Sequence, residues 1–270
     1  MSRAVVDGTG VVRNLHGFRI APKDPRRLMR VGPPSGVDPE SPVDVPVFDQ
    51  IPIFDQGQVG RCTGEVERRC SIAIVLRQTG KLVIFSSMFM YDVSREDEGT
   101  PLTEDSGCMI PGVQASWERW GICPMDVWDS EDFTVAPPPE AIAAAARYKG
   151  GLYYHCPDHA TIHAALAQGF GVSIGIAVPE SMMSAQCAAD GIVHLPEPGE
   201  RIVGGHDITL RGYRPDLVID GTKGAYVFDQ SWGDWGAVVA GRKGHGYLPR
   251  AYVEQGLATD AESPRSMVLT

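Results

Sequence analysis

The chain has 270 residues, 43% apolar and 21% charged, with a formal net charge of −10. That is globular composition with enough chain for a large core. The acidic balance argues against nucleic acid or an anionic membrane surface as the main partner. The longest stretch free of Asp, Glu, Lys and Arg runs from His159 to Pro179, and its three glycines and two histidines suit helix, turn and strand better than a bilayer span.

Residues 1–50 are rich in Pro, Gly, Asp and Arg and lack sustained periodicity, so they read as an extended arm with a short strand at Val11–Val12. Arg26 to Arg30 form a short basic cluster suited to solvent, and five prolines between Pro33 and Pro46 exclude a long helix. The arm is expected to pack along the β half of the molecule and not to act as a conventional inhibitory prosegment. Residues 51–150 read as mainly helical. A helix is expected over 62–79, where Val66, Cys70, Ala73 and Ile74 recur at helical spacing and Gly80 follows as a stop. A second is expected over 107–120, and a third over 139–148, where proline stands at the start and its missing N–H does no harm.

Residues 151–270 change character. Strands are expected at 151–155, 172–178, 206–213, 225–228 and 246–248, with a short helix over 161–168. Helices first and antiparallel strands second make an α+β arrangement.

The six cysteines are Cys62, Cys70, Cys108, Cys123, Cys156 and Cys187; none forms a C-x-x-C pair or a zinc-spaced cluster with histidine. With no apolar signal run at the N-terminus, reduced thiols and a cytoplasmic location are expected, although an even count leaves disulfides open. No metal and no cofactor are expected. His155, His159 and His163 have helical ligand spacing, but Pro157 interrupts them.

Three stretches carry chemistry. In DQGQVGRCTGE, residues 55–65, Cys62 follows a glycine turn and opens a helix, where unpaired N–H groups and the helix dipole favour a thiolate. In GGHDITLRGY, residues 204–213, His206 follows two glycines and begins a strand. In AYVFDQSWG, residues 225–233, a strand ends in a polar amide and a tryptophan, able to orient a histidine and shield it from water. Each has a bland alternative: a core thiol, a satisfied histidine, a packing tryptophan.

Taken together, these stretches resemble the papain-like cysteine peptidases. Asp55-Gln56-Gly57-Gln58-Val59-Gly60-Arg61-Cys62 is similar to the family's nucleophile segment, and Gly204-Gly205-His206 to its histidine segment. Gln230-Ser231-Trp232-Gly233 is similar to its Asn-Ser-Trp-Gly box, and Gly244-His245-Gly246-Tyr247-Leu248-Pro249 to its Gly-Tyr-Gly-Tyr-x-Pro run. SSMFMYDVSRED (86–97), EDSGCMIPGVQASWERWGICPMDVWD (104–129) and the arm segment NLHGFRIAPKDPRR (14–27) are similar to further blocks. The resemblance implies a two-subdomain fold with a cleft between a helical and a barrel-like β subdomain. It implies peptide or protein substrates, a Cys62 nucleophile, His206 as its partner, Gln56 and the Cys62 N–H as oxyanion donors, and Gln230 orienting His206. Trp232 would cover that contact, and Gly107 and Gly205 would line the substrate path. Oligomeric state is left open.

The sequence departs from the family in three ways. Gln230 replaces the orienting asparagine, with Asp229 as the alternative if the register shifts; on a strand only one of the two can face His206. Val59 replaces the cysteine, and Thr63 the aromatic residue, of secreted members, giving a GRCTGE segment like that of bacterial and viral relatives. Glu65 and Glu67 follow Cys62 closely and would disfavour a nearby thiolate; Glu65 is expected to face solvent or pair with Arg61, Arg68 or Arg69. A catalytically weak or inert papain-like module is the alternative reading.

Overall fold

The computed structural model describes residues 4–23 and 36–270. The basic cluster at 26–30 and Pro33 and Pro34 lie outside them. In chain order the elements are β1 (Ala4–Val6), β2 (Val12–Asn14), β3 (Val43–Asp44), α1 (Cys62–Thr79), α2 (Ser87–Asp97), α3 (Ile110–Trp120), α4 (Pro139–Ala145), β4 (Tyr148–Gly150), β5 (Tyr153–His155), α5 (His159–Ala167), β6 (Val172–Pro179), α6 (Ala185–Asp190), β7 (Ile202–Ile219), β8 (Thr222–Asp229), β9 (Ala237–Val239), β10 (Arg242–Pro249), α7 (Ala251–Glu254), β11 (Ala258–Pro264) and β12 (Met267–Leu269).

The principal sheet runs β5-β11-β6-β7-β8-β10-β9, with β3 pairing on β7, and its ladders are antiparallel. The β7–β8 turn shows how sequence dictates this. Ile219 pairs with Thr222 across Asp220-Gly221, and both turn residues have positive φ, 51° and 75°. This is the Asp-Gly hairpin turn whose twist matches that of the flanking strands. The β7–β8 register shifts between Arg214 and Val218, around Pro215, which has no N–H to give the ladder.

Helix α1 runs against the sheet with nearly every residue through Val75 buried. It stops at Gly80, whose left-handed φ of 73° lets its N–H close on the Leu76 carbonyl. The Ser86 side chain caps α2 by accepting from Phe89 N–H at 3.0 Å. Helix α3 begins at Ile110 rather than at Gly107, because Gly107 has φ 68° and the Met109 N–H is taken by the Glu98 carboxylate at 2.9 Å. The helix expected to reach Tyr148 ends at Ala145, and Tyr148–Gly150 pairs instead with the C-terminal strand β12.

The α1 charges are internal. Glu65 bonds Ser87 and pairs with Arg61 and Arg68. Glu67 is buried against Ser71 and Gln114, and burial pushes its carboxyl up to about 7 against those two hydrogen bonds. All six cysteines are free and buried. Among the described residues no helix is long and apolar enough to cross a membrane.

Candidate active site

Cys62 is the first residue of α1, and no side chain caps that end, so the first-turn N–H groups are available to other acceptors. Its Sγ accepts a hydrogen bond from the Asp207 backbone N–H at 3.4 Å, across 145 residues of sequence. That N–H belongs to the peptide joining His206 to Asp207, so the sulfur rests on the backbone of the histidine segment. The side chain of Asp207 turns away to Ser173.

A helix start by itself lowers a thiol pKa. In the structure the opposite holds. Cys62 is fully buried, and burial raises its thiol well above the usual range. The Asp207 charge adds to the rise, N–H groups of Asp207 and Thr63 oppose it, and the charge of Asp105 adds further. Desolvation of the anion outweighs the dipole.

His206 lies on β7, fully buried, with Nε2 2.5 Å from Gln230 Oε1. An amide oxygen only accepts, so Nε2 carries the hydrogen and Nδ1 of the neutral ring is the acceptor nitrogen. The Trp232 ring lies against the imidazole, centroids 4.7 Å apart and tilted 34°. Burial pulls the His206 pKa down to about 4; the Gln230 bond opposes this and the Arg13 charge reinforces it. Asp229, the alternative partner, faces elsewhere, accepting from His245 at 2.6 Å and pairing with Arg69 and Arg211. Burial alone would raise its carboxyl, but Arg69, His245 and Arg211 hold it below the usual range.

Gln56 sits beside this pair. Its Oε1 accepts from Ser231 Oγ at 2.6 Å and its Nε2 donates to the Val59 carbonyl at 2.9 Å, which leaves the second amide hydrogen for another acceptor.

The site is covered by the chain's own arm, which does not merely follow the β half as expected. Leu15 O accepts from Gly205 N–H at 3.1 Å on the β side, while Gly17 O accepts from Cys108 N–H at 3.2 Å and Arg19 N–H donates to Cys108 O at 3.0 Å on the helical side. Gly17 lies on the Cys62 sulfur: a methyl group there would fall 2.5 Å from Sγ. Gly107 admits the arm backbone, since a methyl group on it would meet His16 O. The Phe18 ring lies over Gly175 and Gly205, in an apolar recess with Ile176, Ala177 and Leu257.

Anchors hold the arm at both ends. Buried Arg13 pairs with Asp7 at 2.7 Å and with Asp55, and donates to Trp232 O at 3.2 Å. Asn14 donates to Asp105, Arg19 pairs with Glu98, and Ala21 N–H donates to Asp260 Oδ2 at 2.9 Å. The roles of Gly17, Phe18 and Asp105 escape sequence reading. The one signal is a glycine set between His16 and Phe18 in a segment that resembles the family's arm. The histidines considered as ligands are otherwise engaged: His159 Nδ1 meets Tyr226 Oη at 2.7 Å and His163 Nε2 meets Ser41 O at 2.8 Å. No group of side chains suited to a metal ion occurs among the described residues.

Comparison with known proteins bears on the fold. No family model matches the chain. Over 221 residues it is 29% identical to an uncharacterized peptidase C1-like protein of Acanthamoeba polyphaga mimivirus, covering 76% of this chain and 67% of that one. Its structure is similar to that of xylellain, a cysteine protease from Xylella fastidiosa, with TM-score 0.80 and 21% identity over 98% of both chains. It is also similar to digestive procathepsin L 3 of Tenebrio molitor larval midgut, with TM-score 0.64 and 19% identity over 87% of this chain and 74% of that one. The Amb a 11 cysteine protease of ragweed pollen in its proform gives TM-score 0.65 and 19% identity over 89% of this chain and 73% of that one.

Proposed function

The chain has the fold of the papain-like cysteine proteases, and on that premise we propose that it is a cysteine peptidase with Cys62 as nucleophile and His206 as its proton partner, kept latent by residues 14–19. The observation that carries this reading is the Cys62 sulfur bonded to the His206–Asp207 peptide, with His206 Nε2 committed to Gln230. Once the arm leaves, water reaches both groups, and the burial that favours neutral thiol and neutral imidazole is relieved.

Transfer of the thiol proton to His206 Nδ1 gives the thiolate–imidazolium pair. The thiolate attacks the scissile carbonyl carbon, and the oxygen takes the negative charge between the Cys62 N–H and the second Gln56 Nε2 hydrogen. Collapse breaks the C–N bond, with His206 protonating the leaving amine. Water, deprotonated by His206, then cleaves the thioester, releasing the acid and regenerating the thiol. Gln230 keeps Nδ1 aimed, and Trp232 keeps bulk water from that bond.

The arm is not presented for this reaction. Its carbonyls at Leu15 and Gly17 are committed to Gly205 and Cys108 N–H groups, and His16 O faces Gly107, so none of the three is held by the oxyanion donors.

Peptidase assays and iodoacetamide labelling at mildly acidic pH test the reading. Selective labelling of Cys62, abolished by Cys62→Ala and slowed by His206→Ala, is the expected result. The filled cleft favours a second reading, an inert module; uniform labelling of all six cysteines after arm displacement would establish that one instead.

A further inference from the structure

Resting on the peptidase reading above, we propose that Asp105 is a specificity-determining residue that selects a Lys or Arg side chain in the subsite beside Cys62. Its position carries the argument. Gly60 N–H donates to both carboxylate oxygens at 3.0 Å, and Tyr91 Oη donates to Oδ1 at 2.5 Å. Gly60 in turn abuts the arm at the residue covering the sulfur: a methyl group on Gly60 would lie 2.9 Å from Asp105 Oδ1 and 3.4 Å from the Gly17 backbone. The carboxylate is therefore fixed in the cleft wall about one residue from the nucleophile, with its orientation set by two donors of the protein body.

The arm supplies a substitute ligand. Asn14 Nδ2 donates to Asp105 Oδ2, so a neutral hydrogen-bond donor already occupies the place. Beside that acceptor lies a cavity of about 630 Å³, walled by the arm at Val12, Asn14 and His16 and by the protein body at Gln58, Val59, Glu104 and Phe133, which the arm's departure would open further. Among the described residues its lining holds two carboxylates and no Lys or Arg. A cation makes a charge-assisted bond to a carboxylate roughly twice as strong as a neutral donor does, so Lys or Arg would displace Asn14 with advantage. A bound cation would also offset the Asp105 charge that opposes ionisation of Cys62.

The test uses the full chain carrying Gly17→Val to open the cleft. Cys62 is labelled by peptidyl fluoromethyl ketones with Arg, Lys or norleucine next to the electrophile. Each rate is divided by the iodoacetamide rate of the same variant. Arg and Lys reagents should react about tenfold faster than norleucine, and Asp105→Asn should bring the ratio close to one. Equal rates for all three, with iodoacetamide still labelling Cys62, would overturn the subsite and leave the peptidase reading standing. Failure of every reagent at Cys62 would overturn both. A second measurement needs no open cleft: Asn14→Lys in the otherwise unchanged chain should slow iodoacetamide labelling of Cys62 several-fold, because the cation holds the arm on Asp105. No slowing would count against the proposal.

Discussion

Gly17 and the Cys62 sulfur are packed so closely that no side chain fits between them: a methyl group at Gly17 would come within 2.5 Å of Sγ and 2.9 Å of Gly60 O. Valine at position 17 is therefore incompatible with the closed cleft. Overpacking of this kind costs about 1–3 kcal/mol, and here the arm can relieve it by lifting away. Gly17→Val should raise the iodoacetamide labelling rate of Cys62 about tenfold at pH 6, read by peptide mass spectrometry, without lowering the melting temperature as a core clash would. An unchanged rate would mean that the arm does not guard the thiol.

Gln230 and Asp229 should fail in different ways. Gln230→Ala removes the partner of a histidine that must become charged, an interaction of about 1.5–3 kcal/mol; kcat/KM should fall about 10–100-fold with a modest change in Tm. Asp229→Ala removes the carboxylate shared by buried Arg69 and His245, leaving Arg211 with Asp49 alone, and losing one partner of such a network costs about 3–5 kcal/mol. Its signature should be a large drop in Tm. The reverse pattern would assign the orienting role to Asp229.

In the proposed mechanism Gln56 faces a transition-state charge, so Gln56→Ala should lower kcat by about 10²–10³ with KM little changed. A rise in KM at constant kcat would instead mark Gln56 as a ground-state binding residue.

The buried Glu67 makes stability depend on pH. Its carboxyl, ordinarily near 4.5, is pushed up to about 7, with burial as the main cause. Between those values the folded protein holds a proton that the unfolded chain has lost. This contribution is therefore fully present below about 4.5 and disappears as pH rises through 7, and a shift of that size corresponds to up to about 3 kcal/mol. Asp92, raised to about 7 mainly by burial, acts in the same sense and His206, pulled down to about 4 mainly by burial, in the opposite one, so the wild-type curve alone does not isolate Glu67. Measured against Glu67→Gln at each pH, the wild-type Tm should fall steadily from pH 4.5 to pH 7. A constant difference would refute the assignment.

Much of this is legible in the sequence because it is local. The bounds of α1 follow from Cys62 after a glycine turn and from Gly80, and both Gln230 and Trp232 are found against His206. The hidden part depends on distant segments meeting. Glu67 looks like an exposed helix residue until α2, α3 and the sheet enclose α1. Tyr148 continues a helical pattern until β12 offers a strand partner. Beyond the β1–β2 pairing at its start, the arm at residues 15–19 lacks periodicity, because its backbone bonds there are made with both walls of the cleft. Its route is written in Gly17, Gly107, Gly175 and Gly205, whose missing side chains matter only once the arm lies in the cleft.

Because the segment over Cys62 is covalently continuous with the domain it covers, the proposed inhibition is intramolecular. Dilution does not relieve it, whereas a separate inhibitor would dissociate. An incoming peptide competes with an occupant whose local concentration is of roughly millimolar order, so weakly binding peptides are excluded at physiological abundance. Turnover then begins only with ligands that outcompete the tether, or after an event that cuts it or loosens its ends.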